Sequence, residues 1–211
     1  MPETPDLNVE NSFLSRARYP KGKKRLRAIL DSTYEIVISK GLAAASQEAI
    51  AKRAEVTQSA VRHYFPTKDE LLFAFFSTGV ERLQQFLQAK MAEVDRDPRD
   101  LLLESASLHY DRMLEVEDVY FFEAAAFWGR NPEFSDMRDE WYQALERHYE
   151  DLIKRIHPAW GKPRCSAASI QVLTLILGGW VTLGSSRPLY RKRSRKSIRS
   201  TLLQGIERLI D

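Results

Sequence analysis

Residues 46–68, SQEAIAKRAEVTQSAVRHYFPTK, set amides, hydroxyls and cations at helical intervals. Around Val61 the spacing predicts a short helix with Val61 inward and Gln58, Ser59 and Arg62 on the outer face, followed by His63 and Tyr64 at its end. Side chains of these types can read base edges. Arg62 can pair in bidentate fashion with guanine and Gln58 with adenine, each worth about 1–3 kcal/mol of discrimination. These two are the expected base readers. A preceding helix is expected with Ser46 as its N-cap and Ile50 and Ala54 inward; after a Glu55-Val56 turn, Thr57 caps the second helix. Two short helices joined by a tight turn, the second polar on its outer face, suit a DNA major groove.

The run of Gly41, Ala51, Val56, Tyr64, Phe65, Lys68, Leu71 and Leu72 resembles the N-terminal domain of the tetracycline-repressor (TetR) family of bacterial transcription regulators. A pattern with this many spaced positions is more specific than a single short motif. The resemblance implies phosphate contacts by Ser46, Thr57, Tyr64 and Lys68, and brings Gln47, Ser59 and His63 within reach of a duplex. Lys68 has independent support, because it opens a helix whose N–H groups and dipole also favour an anion. Tyr64 suits packing between helices equally well. The chain departs from the family pattern twice. Glu55 stands where the family usually has a turn glycine, so either it takes a positive φ at about 1 kcal/mol or the turn differs. Arg62 stands where tyrosine is usual.

A first helix is expected over Lys23–Lys40, with Leu26, Ile29, Leu30, Thr33 and Val37 in one stripe and Gly41 as the stop. Thr67 and Glu70 form a capping box for a long fourth helix that links two domains. Further helices are expected near 99–115, 118–130, 133–156, 163–184 and 194–210, with no segment alternating as a strand would. The expected fold is all-α, with about nine helices. It comprises a flexible basic arm over 1–20, a three-helix helix-turn-helix DNA-binding domain over 21–68, and a helical ligand-binding and dimerisation domain over 69–211.

Charge is distributed to match. Residues 15–68 carry twelve Lys/Arg against four Asp/Glu, and residues 91–160 carry eight against seventeen. A basic end joined to an acidic middle points to nucleic acid at one end and another task at the other. Lys23 and Lys24 lie in an acid-free basic run, Arg16 to Arg27, suited to phosphate. A second basic run, RPLYRKRSRKSIR at 187–199, has no positioned reader and is expected to be a solvated loop and helix start. The single cysteine, Cys165, and the lack of an apolar leader point to a reducing, cytoplasmic setting. Ile170–Leu183, the most apolar stretch, falls short of the roughly 20 residues that span a bilayer, so no membrane partner is expected.

One short helix reads only a few base pairs, so a homodimer on double-stranded operator DNA is expected. Leu173, Ile176, Leu177 and Val181, with Ile198, Leu202, Ile206 and Leu209, give the apolar stripes for its interface. The resemblance implies that these two helices form a four-helix bundle with their symmetry mates, and that a cavity between the middle helices takes a small effector. His109, Met113, Phe122, Trp128, Trp141, Leu145, His148 and Trp180 are its expected lining, although aromatics at helical spacing also serve as core. No Gly-rich phosphate loop, G-x-S-x-G elbow or H-E-x-x-H is present, so catalysis, a cofactor and a metal are not expected. The expected function is that of a ligand-released repressor. Its alternatives are an architectural DNA-binding protein or an activator using the same unit.

Overall fold

The computed structural model describes residues 12–115, 118–131, 134–183 and 192–211. The described residues form nine α-helices and two short 3-10 helices, with no strand among them. The helices are α1 Pro20–Lys40, α2 Gln47–Arg53, α3 Gln58–Tyr64, α4 Lys68–Met91, α5 Pro98–Glu115, α6 Asp118–Arg130, α7 Ser135–Ile156, α8 Lys162–Leu183 and α9 Arg195–Leu209. Local chemistry sets several of these bounds. Pro20 opens α1 three residues earlier than the periodicity predicts, because its fixed φ and missing N–H suit a first helical turn. Gly41, at φ 80°, closes it and donates its N–H to the Val37 carbonyl.

The chain divides into two compact units. The first runs to Leu83 and includes Val119–Arg138; the second comprises Gln84–Asp118 and Asp139–Asp211. The division therefore falls inside α4 rather than at residue 68. Aromatic packing explains why α6 and the start of α7 join the first unit. The Phe76 ring lies 5.5 Å from both Phe127 and Trp128, Phe127 lies 4.6 Å from Phe134, and Phe134 lies 5.3 Å from Phe73. Fully burying a ring of this size is worth about 1.5–3 kcal/mol.

Residues 12–19 differ from the expected mobile arm. Ser12–Arg16 is a 3-10 helix, and Phe13, Leu14 and Ala17 are buried in the first unit. The expected arm residues before Ser12 lie outside the described residues.

In the second unit α8 packs on α5 and α9. Val172, Leu173, Ile176 and Trp180 are its buried face, against Ile198, Leu202 and Ile206 of α9. Leu173, Ile176, Ile198, Leu202 and Ile206, expected to meet a second copy, are thus buried within the chain. Leu177 and Leu209 are half-buried, and Val181 is exposed together with Ile170 and Leu175. The stripe that the periodicity detects is the one that closes the unit. Gly179 faces inward, within 3.7 Å of Leu202 and Tyr110 as measured from an added Cβ, whereas Gly178 faces open space. At 22 residues, α8 has the length expected, and by length and composition alone it is apolar enough to cross a membrane, as the core helix of a soluble protein can also be.

Candidate nucleic-acid interface and effector site

The two reading helices are capped by side chains. Ser46 Oγ accepts from the Ala49 N–H and Thr57 Oγ1 from the Ala60 N–H, each at 3.1 Å. Each hydroxyl satisfies one of the donors left open at a helix start, worth about 1 kcal/mol. Between the helices Glu55 takes φ 54°, so the turn keeps a glycine-like conformation without a glycine. Thr67 Oγ1 likewise accepts from the Glu70 N–H at 3.1 Å, at the start of α4.

These caps set α3 with Gln58, Ser59, Arg62 and His63 all exposed, while Val61 is buried. Gln47, on α2, is half-buried and bridges the helices. Its Nε2 donates to the Phe65 carbonyl at 2.7 Å, and its Oε1 accepts from Arg62 Nε at 3.4 Å. Gln47 is therefore placed to orient Arg62. Lys68 Nζ donates to the Leu42 carbonyl at 3.1 Å, a bond that uses one of its three donors. Tyr64 is half-buried with its hydroxyl against the start of α1, 3.1 Å from where a Cβ on Gly22 would stand. Lys24 is exposed there and Lys23 half-buried.

A residue absent from the expected set completes this end. The Arg16 guanidinium donates to the Tyr64 carbonyl at 3.2 Å, and lies 4.8 Å from the Phe13 ring centroid and 5.7 Å from that of Phe65. It thus holds the C-terminal end of α3, where a cation also complements the helix dipole. The signal available in the sequence was the Phe13-Leu14 pair just before Arg16.

The expected effector residues separate between the units. Phe122, which is exposed, and Trp128, which packs on Phe76, belong to the first. The second holds His109, Trp141, Leu145, His148 and Trp180. The Met113 side chain lies outside the described residues. Within the second unit, His109 Nδ1 is 3.4 Å from the Tyr149 hydroxyl, and the His109 ring stands edge-on to Trp141 at 6.4 Å. His148 meets the Tyr149 ring at 5.3 Å. Leu145 and Trp180 are buried nearby in sequence and on α8, respectively.

Burial holds the His109 imidazole down at about 4, with the His148 charge adding to the effect, and burial alone holds His148 at about 4. Burial also pushes the Tyr149 phenol upward. Both imidazoles and the phenol are therefore neutral at pH 7. His109 is part-exposed as a residue, yet its Nε2 is shielded. That atom, both ring nitrogens of His148 and Ser105 Oγ have no hydrogen-bond partner among the described residues.

The sequence profile of the bacterial regulatory proteins of the tetR family matches residues 29–75, which span most of α1, all of α2 and α3 and the start of α4. Over these residues the chain carries the tetR-family domain. The chain is 31% identical over 108 residues to the HTH-type transcriptional regulator PksA of Bacillus subtilis, a match that covers 49% of this chain and about half of PksA, 52%. The regulator BetI of Paraburkholderia phytofirmans is 25% identical over 157 residues, covering 74% of this chain and 80% of BetI. A transcriptional regulator of Rhodococcus sp. Rha1, of solved structure, superposes with a TM-score of 0.64 over 88% of this chain and 95% of its own, at 24% identity, and so supports the fold.

Proposed function

We propose that this tetR-family chain is a homodimeric transcriptional repressor that leaves a palindromic operator when a small, largely apolar or aromatic effector binds. The observation that carries the DNA half is the outer face of α3, where Gln58, Ser59, Arg62 and His63 stand exposed on a helix braced by Gln47 and Arg16. Arg62 is suited to guanine and Gln58 to adenine, while Ser46, Thr57, Tyr64 and Lys68 stand at the helix ends where phosphates are held.

Dimerisation is supported by the outer face of α8, which leaves Ile170, Leu175 and Val181 in solvent beside Gly178. An apolar stripe of this kind on a regulator that reads two half-sites is best covered by its own copy. The buried neutral cluster of His109, His148 and Tyr149 supports effector binding in the second unit. Turning a population over from 1:99 to 99:1 requires a differential affinity of ~5.5 kcal/mol, which a well-buried aromatic molecule can supply.

Selection of duplexes from a random pool tests the reading. A two-fold symmetric site bound by two chains is expected. Recovery without sequence preference would favour an architectural role, and a site whose occupancy raises transcription would favour activation.

A further inference from the structure

We propose that the effector site of the second unit takes an organic acid, a carboxylate on an apolar body, in preference to an alcohol or an organic cation of the same shape. The inference rests on the reading of the chain as an effector-responsive regulator and specifies the chemistry of that effector. Its ground is the arrangement of polar groups between α5 and α7. Ser105 and His109 are four residues apart on one face of α5, and His109 is joined to α7 through the Tyr149 hydroxyl.

The Tyr149 phenol keeps its proton and can donate it to His109 Nδ1; the matching tautomer carries the His109 proton on Nε2. The neutral His148 ring offers one further N–H and Ser105 one O–H, so in that tautomer three buried donors stand without acceptors among the described residues. Each buried, unsatisfied group of this kind costs roughly 1–3 kcal/mol, which makes a cluster of them costly to keep for packing alone. A carboxylate accepts only, and its two oxygens offer about four lone-pair sites.

Two carboxylates flanking the cluster along α5 are already paired with cations, Glu104 with Lys90 and Arg96, and Asp111 with Arg195 and Arg199, while Glu146 on α7 accepts from the Ser166 hydroxyl. A carboxylate meets donors on both helices.

The test is calorimetric titration of the full-length wild-type chain at pH 7 with 2-naphthoate, 2-naphthalenemethanol and 2-naphthyltrimethylammonium, and with octanoate, 1-octanol and octyltrimethylammonium as an aliphatic set. In at least one set the acid is expected to bind tenfold or more tighter than both companions. His109→Phe and His148→Phe, checked for cooperative melting, are each expected to erase that preference. Equal or tighter binding of the alcohol or the cation, or no binding by either acid, overturns the proposal; so does an acid preference that survives in both folded variants. Should the variants fail to fold, the wild-type titrations decide alone. Site-specific DNA binding, measured without any probe, separates the two readings. A chain that selects a site but shows no acid preference loses only the effector class, whereas one that prefers the acid but selects no site loses the regulator reading.

Discussion

At the scale of single residues, Arg62 and Gln47 have to be considered together. Arg62 Nε donates to Gln47 on an otherwise exposed side chain, so the proposed base reader is positioned before DNA arrives. Arg62→Ala is expected to cost about 1–3 kcal/mol on the best site and to relax preference at one position per half-site, as read by competition among single-base variants of the selected duplex. Lys68→Ala is expected to weaken all sequences alike and to flatten the salt dependence by about one ion. Glu55, at φ 54°, carries left-handed strain that glycine would not. Glu55→Gly is therefore expected to raise stability in urea melts by up to about 1 kcal/mol, and an equal or larger loss would show that the Glu55 side chain contributes more than the strain costs.

At the scale of elements, the chain shows what periodicity does and does not reveal. The starts of α2, α3 and α4 were legible because Ser46, Thr57 and Thr67 are side chains whose oxygen caps a helix, and each one does so. The end of α1 was legible in Gly41 for the same local reason. The 3-10 helix at Ser12–Arg16 was not, since two apolar residues show no period and the ring contacts that hold the helix, Phe13 with Phe73 and Arg16 with Phe65, are some fifty to sixty positions apart. The apolar stripes of α8 and α9 were found correctly as stripes, but a stripe does not name its neighbour. Ile176 and Ile206 turn toward the chain's own helices, and Ile170 and Val181 turn away. The two faces predict opposite outcomes. Val181→Glu is expected to yield monomers in light scattering with cooperative melting retained, whereas Ile206→Glu buries an unpaired charge and is expected to destabilise the chain by more than about 3 kcal/mol.

The proposed effector cluster shows the same limit at a longer range. His109 and His148 could be singled out as polar residues in an aromatic region, but their meeting through Tyr149 depends on how α5 and α7 pack. Trp128 looked equivalent in the sequence and was drawn instead into the aromatic stack on Phe76.

At the scale of the whole molecule, the buried imidazoles tie stability to pH. Both are held near 4 in the folded chain against 6.5 in an unfolded one, so the unfolded state binds more protons as pH falls below 6.5. Their stabilising contribution is complete above that value and is lost as pH falls toward 4, at roughly 3 kcal/mol per imidazole for a shift of this size. Chemical melts at pH 7 and pH 4.5 are expected to show a fall that His148→Phe reduces by about half. The same variant is expected to be the more stable protein at pH 7, because it removes two ring nitrogens that have no partner among the described residues.

The proposed function requires that the outer face of α3 read a specific DNA site as one half of a dimer. Fluorescence anisotropy of the purified chain on duplexes tiling the DNA upstream of its own gene, against scrambled duplexes over a salt series, tests it most directly. One tile is expected to bind at least ~10³-fold tighter than scrambled DNA, with two chains per duplex. Uniform binding to the selected and the scrambled sequences, fading together as salt rises, would contradict it.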